Sequence, residues 1–224
     1  MKLNVKYLLL LGLAWVFTAG TCDKDCNNSV RNYEFVLPVT LTPAIDTFRI
    51  GDTIKIVAEF SNSVYDRAND RFFLLDSFRF YPTTRIIRID TTTGTDSFDD
   101  FEIIIPMKFD YERFDGSRGS QTLFGQYTYT QEGEYILNYK IIPLKKGVYL
   151  FRHASSVSSY ESEQDFPGRC ELNGSYGISV LNDNIDNNIE LLEDSPDPHF
   201  SEWILEKPEK RFYKHGSYAF VVVE

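Results

Sequence analysis

The sequence predicts an all-β fold, an antiparallel β-sandwich with one short helix before its last strand. Three observations predict it. Apolar residues recur at every second position, glycine-x-tyrosine triplets precede several of those runs, and helical spacing occurs in a single stretch. Residues two apart share one side of a strand, so each alternating run reads as a half-buried β-strand.

The chain begins with a leader rather than a strand. Lys2 and Lys6 precede an uncharged apolar run from Tyr7 to Phe17, followed by the small residues Thr18, Ala19, Gly20 and Thr21. A membrane-spanning helix needs about 20 apolar residues, so the run is too short to span and reads as a signal sequence covering residues 1–21. Ala19-Gly20-Thr21-Cys22 resembles a lipobox, which makes Cys22 the lipid attachment site and ties the chain to a membrane through its N-terminus. Thr21 departs from the usual Gly, Ala or Ser before that cysteine, so cleavage near Gly20 or Thr21 without lipid stands as the competing reading. If Cys22 is acylated, Cys26 and Cys170 remain as an even pair, and disulfides persist in exported proteins. A Cys26–Cys170 bond would stabilise by on the order of 5 kcal/mol on the chain-entropy model. A Cys22–Cys26 bond and two unpaired thiols are the alternatives.

Residues 22–32 then read as a tether and 33–224 as one sandwich domain, with two stacked small domains as the alternative. Tyr33, Phe35, Leu37, Val39 and Leu41 share the face of a first strand. Ile54, Ile56, Ala58 and Phe60 share that of a second, and Phe101, Ile103, Ile105, Met107 and Phe109 that of a third. Tyr135, Leu137, Tyr139 and Ile141 follow, and Tyr218, Phe220 and Val222 close the chain. Pro38 and Pro106 fall on outward positions, where a missing N–H is tolerated at an edge or bulge. Shorter strands are expected at residues 77–81, 85–90, 148–153 and 176–181. The triplets starting at Gly125, Gly133, Gly147, Gly174 and Gly216 supply tight links, and the tyrosine two positions on buries its ring while its hydroxyl finds a partner. The helix is expected in SPDPHFSEWILEK, where Phe200, Trp203 and Ile204 form an apolar stripe against the sandwich. SNSVYDRAND, DTTTGTDSFDD, DGSRGSQT and the Asn-rich LNDNIDNNIELLED read as loops, the last with room for one helical turn.

No constellation reaches the grade of a catalytic motif. His153, His199 and His215 stand alone in their segments, with His153 read as a surface or interface residue, so no metal site is expected. Asp183, Asn184, Asp186, Asn188 and Glu190 cluster oxygen ligands, but Ile189 and Ser195 occupy the places where an EF-hand needs glycine and an acid, and a solvated loop is the expected role. There is no nucleophile elbow and no phosphate-cradling glycine loop, so neither enzyme activity nor a cofactor is expected. Removing residues 1–21 takes away Lys2 and Lys6 and no acid, leaving 21 Lys and Arg against 33 Asp and Glu, a formal charge of −12. Such a surface repels phosphate backbones, which argues against nucleic acid as a partner.

Two resemblances add a location. The leader, Cys22 and the charged Asp23-Lys24-Asp25 resemble the start of Bacteroidota cell-envelope lipoproteins, and FRIGDTIKI (48–56) is similar to openings of sandwich domains in uncharacterised members of that group. The glycine–tyrosine strands resemble the closing strands of immunoglobulin-like modules. What the resemblances imply is lipid anchoring to the outer membrane, display on the cell surface and an immunoglobulin-like sandwich. With no catalytic constellation in the chain, the expected role is a non-catalytic binding or assembly module with a protein partner in the envelope. The alternative role is carbohydrate binding or processing, which calls for aromatics exposed together on one sheet face or two acids across a cleft.

Overall fold

Most of the long alternating runs become strands. In the computed structural model, which describes residues 33–106, 111–116, 120–157, 176–185 and 187–224, the described residues form fifteen strands. These are β1 (Glu34–Thr42), β2 (Thr47–Arg49), β3 (Ile54–Ser61), β4 (Ser63–Asp66) and β5 (Arg71–Leu74). They continue as β6 (Tyr81–Arg88), β7 (Thr95–Asp96), β8 (Phe101–Ile104), β9 (Tyr111–Asp115) and β10 (Gln121–Gly125). The last five are β11 (Thr128–Tyr129), β12 (Glu134–Pro143), β13 (Gly147–Ser156), β14 (Tyr176–Leu181) and β15 (Ser217–Val223).

The strands form a two-layered sandwich. One layer has β3 and β12 antiparallel at its centre, Ile54 facing Ile141 and Phe60 facing Tyr135, with β8 and β11 on the far side of β12. The other runs β9–β10–β6–β13, after which β13 is paired by β15 over Gly147–Arg152 and by β14 at Ser155 and Ser156. β1 joins the layers: Glu34–Val39 runs beside β14, and Thr40–Thr42 crosses over to pair with β3. Pro38 falls between the β4 and β3 pairings of β1, where a missing N–H breaks no antiparallel ladder. Two pairings, β1 with β14 and β2 with β15, are parallel, an addition to the antiparallel pattern expected.

Between the layers lies an aromatic core that includes Phe35, Phe48, Phe80, Phe151 and Phe220, together with the tyrosines of four triplets, Tyr127, Tyr135, Tyr149 and Tyr218. Each of those hydroxyls has a partner. Tyr135 donates to Leu75 O, Tyr149 to Asp100 Oδ2 and Tyr218 to Ile45 O, while the Tyr127 hydroxyl lies 3.2 Å from Ser155 Oγ.

The outer face of the β6–β13–β15 layer carries a second core. Ile87, Ile89, Leu150 and Ala219 are covered by Leu192, Phe200, Ile204 and Phe212. The cover is residues 189–213, with wide helical turns at His199–Ile204 and Glu209–Tyr213, two where one helix was expected. Polar latches fix it: Ser195 Oγ donates to Ile89 O, Gly94 N to Asp197 Oδ2 and Arg152 Nη2 to Arg211 O. The cover returns to β15 through Gly216, whose φ of +52° and closeness to His153 O exclude a Cβ.

Several loop readings are corrected. SNSVYDRAND contributes β4, DTTTGTDSFDD holds β7 and a short turn over Phe98–Asp100, and DGSRGSQT leads into β10. The strand expected over residues 101–109 is β8, which ends at Ile104 ahead of Pro106, and Met107 and Phe109 lie outside the described residues. The segment 77–80 is not strand, and β6 begins at Tyr81.

Candidate functional site

Three polar or exposed clusters stand out from the packing. The first is a sealed knot between the layers. Tyr139 OH and Thr84 Oγ1 are 2.7 Å apart, Thr84 Oγ1 lies 3.0 Å from His153 Nδ1, and Tyr127 OH lies 3.4 Å from His153 Nε2. Ser179 Oγ extends the knot by donating to Ser155 Oγ at 3.3 Å. His153 is wholly buried, which corrects its reading as a surface residue: strand alternation places it on the same inner face as Tyr149 and Phe151. Burial pushes the His153 imidazole down to about 3 and the Tyr127 and Tyr139 phenols up, so all three stay neutral at pH 7. Fully buried and uncharged, His153 has no route to a reactant. Its chemistry is to orient neighbours and satisfy their hydrogen bonds.

The second cluster is the free margin beside β5. Among the described residues, β5 pairs with β4 alone. Phe73 turns into the core, while Phe72 and Leu74 are 67% and 66% exposed. Tyr65 of β4 stands opposite Phe72 with ring centroids 5.3 Å apart, extending the apolar row. At the other margin of the same layer, Phe114 and Phe124 meet at 6.2 Å on β9 and β10, and both are exposed.

The third is a groove on the cover, lined by Pro198, His199, Glu202, Trp203 and Glu206. Trp203 is 47% exposed rather than packed: Phe200 and Ile204 take the inward positions of the helical turn and leave the indole outside. His199 stacks on it at 4.8 Å, and the Arg211 guanidinium lies 4.1 Å from the ring centroid while donating to Glu206 Oε2 at 2.6 Å. Arg211 also donates to Trp203 O. Burial, with Arg152 nearby, holds the His199 imidazole below its ordinary value, so it is neutral at pH 7.

Each of the acids buried in the sandwich has hydrogen-bond partners in place. Asp100 meets Lys145 at 2.6 Å and Tyr149, Asp96 takes a two-pronged contact from Arg85, and Asp66 accepts from the Glu34 and Ala68 amides. No group of three or more metal-ligating side chains occurs among the described residues. Of the oxygen cluster weighed for calcium, Asn188 turns inward and donates to Ala219 O, and Asp186 lies outside the described residues. The Asn-rich segment is therefore not a plain solvated loop. Asn182, Asp183, Asn184 and Asn188 take positive φ, which Asn and Asp tolerate best among residues with a side chain, and Asn187 and Asn188 are buried. Cys22, Cys26 and Cys170 all lie outside the described residues.

No family model matches the chain, and neither does any curated protein. Among solved structures it is similar to a type II cohesin domain from the cellulosome of Acetivibrio cellulolyticus, at 8% identity and a TM-score of 0.30, covering 65% of this chain and 92% of that one. It is also similar to the second type II cohesin module of the adaptor ScaA scaffoldin of the same organism (12% identity, 66% and 88% covered, TM-score 0.27). A third is a collagen-binding domain from a Staphylococcus aureus adhesin (11% identity, 63% and 95% covered, TM-score 0.21). Overlap at these scores leaves the fold to be read from the chain's own strand pairing.

Proposed function

We propose that this chain is an exported protein, lipid-anchored through Cys22 to the outer membrane and displayed on the cell surface, whose β-sandwich is a non-catalytic binding or assembly module. The short apolar leader and the small residues before Cys22 support the location. The observation that carries the binding role is the β5 margin. A strand with one edge unpaired among the described residues and two exposed apolar side chains is a template for another strand, and soluble proteins ordinarily blunt such edges. The occupant that fits is an extended segment of an envelope protein laid along β5, its alternate side chains meeting Phe72 and Leu74. A carbohydrate platform is less well supported, because the exposed phenylalanines sit at opposite margins with the cover between them.

Placing a photo-cross-linking residue at Leu74 in native cells tests the role. A discrete protein adduct is expected, and it should vanish when Phe72→Lys is added. No adduct, or one indifferent to Phe72→Lys, would overturn the β5 assignment. Intact-mass analysis tests the anchor separately: acyl chains on Cys22 are expected, and an unmodified mature N-terminus would remove the lipid reading.

A further inference from the structure

We propose that the groove beside Trp203 receives a lysine or arginine side chain from a basic segment of a protein partner, a contact independent of strand addition at β5. Three features of the groove point to a cation. First, the chain already displays the mode of binding. Arg211 lies over the indole and is held by Glu206, the combination of aromatic face and carboxylate that recognises guanidinium and ammonium groups.

Second, the groove has capacity left. Glu202 stands one helical turn before Glu206, is exposed, and its carboxylate has no ion pair or hydrogen bond among the described residues, whereas Glu206 is shared by Arg211 and, at 3.9 Å, by Lys207. Like charges at this spacing repel, and a bound cation relieves that repulsion. His199, neutral at pH 7, puts no opposing charge on the groove wall. Third, the exported chain carries a formal charge of −12, so long-range attraction also favours a basic partner. A sugar fits less well. A neutral pyranose would leave the repulsion between Glu202 and Glu206 uncompensated.

The two tryptophans of the chain are Trp15 and Trp203, so the full chain carrying Trp15→Phe reports on this groove alone by fluorescence. Titration with tri-arginine amide and tri-lysine amide at physiological salt should give a saturable change, and tri-glutamine amide should give none. Glu202→Gln should weaken the cationic peptides about two- to fivefold, the range of a single exposed ion pair. Glu193→Gln, an exposed acid of the cover that does not line the groove, should leave the affinity unchanged. Circular dichroism of both variants checks that the fold is intact. The proposal fails if the cationic peptides give no saturable change or if Glu193→Gln weakens them as much as Glu202→Gln, which would mean general charge attraction. Saturation by a chito-oligosaccharide in place of the peptides would equally overturn it.

Discussion

The β6–β13–β15 layer is buried on both faces, and the two faces are built differently. Inward, Ile86, Tyr149, Phe151, Tyr218 and Phe220 meet the opposite layer in a core of rings closed around the His153 knot. Outward, Ile87, Leu150 and Ala219 meet four buried apolar residues from residues 189–213, latched by individual hydrogen bonds. The inner core draws on strands from the whole chain, so losing it is global unfolding. The outer one draws on a single late segment and can open by itself. With both faces of these strands sealed, the surface left for recognition lies at the layer's margins and on the cover.

The sharpest test of that contrast is pH, because only the inner core holds an enclosed imidazole. His153 is down at about 3 when folded and near 6.5 when unfolded, so the unfolded chain takes up a proton that the folded chain refuses. Stability is therefore full above about pH 6.5 and is lost as pH falls toward 3, by on the order of 4 kcal/mol across the window. Denaturant unfolding between pH 7 and 5, where carboxylates contribute little, should show the slope. His153→Asn should flatten it, although His199 and His215, both also shifted down by burial, leave a residue of the effect. An unchanged slope in the variant would place the titrating group elsewhere.

Truncation compares the two cores directly. Phe220→Ala in the inner core should cost about 3–5 kcal/mol, in one cooperative transition. Ile204→Ala in the outer core should cost about 2–4 kcal/mol, because the cover can settle into part of the space. Hydrogen exchange distinguishes the outcomes. Ile204→Ala should lower protection over 189–213 before it touches β3 and β12, whereas equal loss everywhere would make the two cores one cooperative unit. Thr84→Val is a smaller probe. It leaves Tyr139 and His153 without their shortest hydroxyl contacts, for about 1–3 kcal/mol by thermal unfolding.

The same contrast explains what could be read in the sequence. The inner core was legible because half-buried strands alternate: β1, β3, β12 and β15 lie where period-2 runs predict them. Unbroken apolar pairs such as Ile86-Ile87 and Leu150-Phe151 were the signal of a second covered face, since a strand buried on both sides stops alternating. β4 and β9 escaped because short strands rich in charged and polar residues have no continuous apolar face to show, and β5, although Phe72, Phe73 and Leu74 are apolar, is only four residues long. His153 and Trp203 were misplaced for a common reason. Residue type sets a preference for inside or outside, but the choice is made by which neighbours fill the adjacent positions. Phe200 and Ile204 were enough to seal the outer core, and Trp203 was left in solvent.

The smallest stability effect belongs to the margin, and that is its diagnostic value. Phe72 already exposes two-thirds of its surface, so Phe72→Lys removes little packing and should shift unfolding by no more than about 0.5 kcal/mol. A lysine on an edge strand also opposes pairing with another chain. The variant should thus keep the melting temperature of the parent while losing the Leu74 adduct in cells. A large fall in melting temperature would mean that Phe72 and Tyr65 stabilise the β4–β5 hairpin itself, and the margin would then belong with the cores. Equal stability together with a lost adduct would instead separate a surface kept for recognition from the two faces kept for folding.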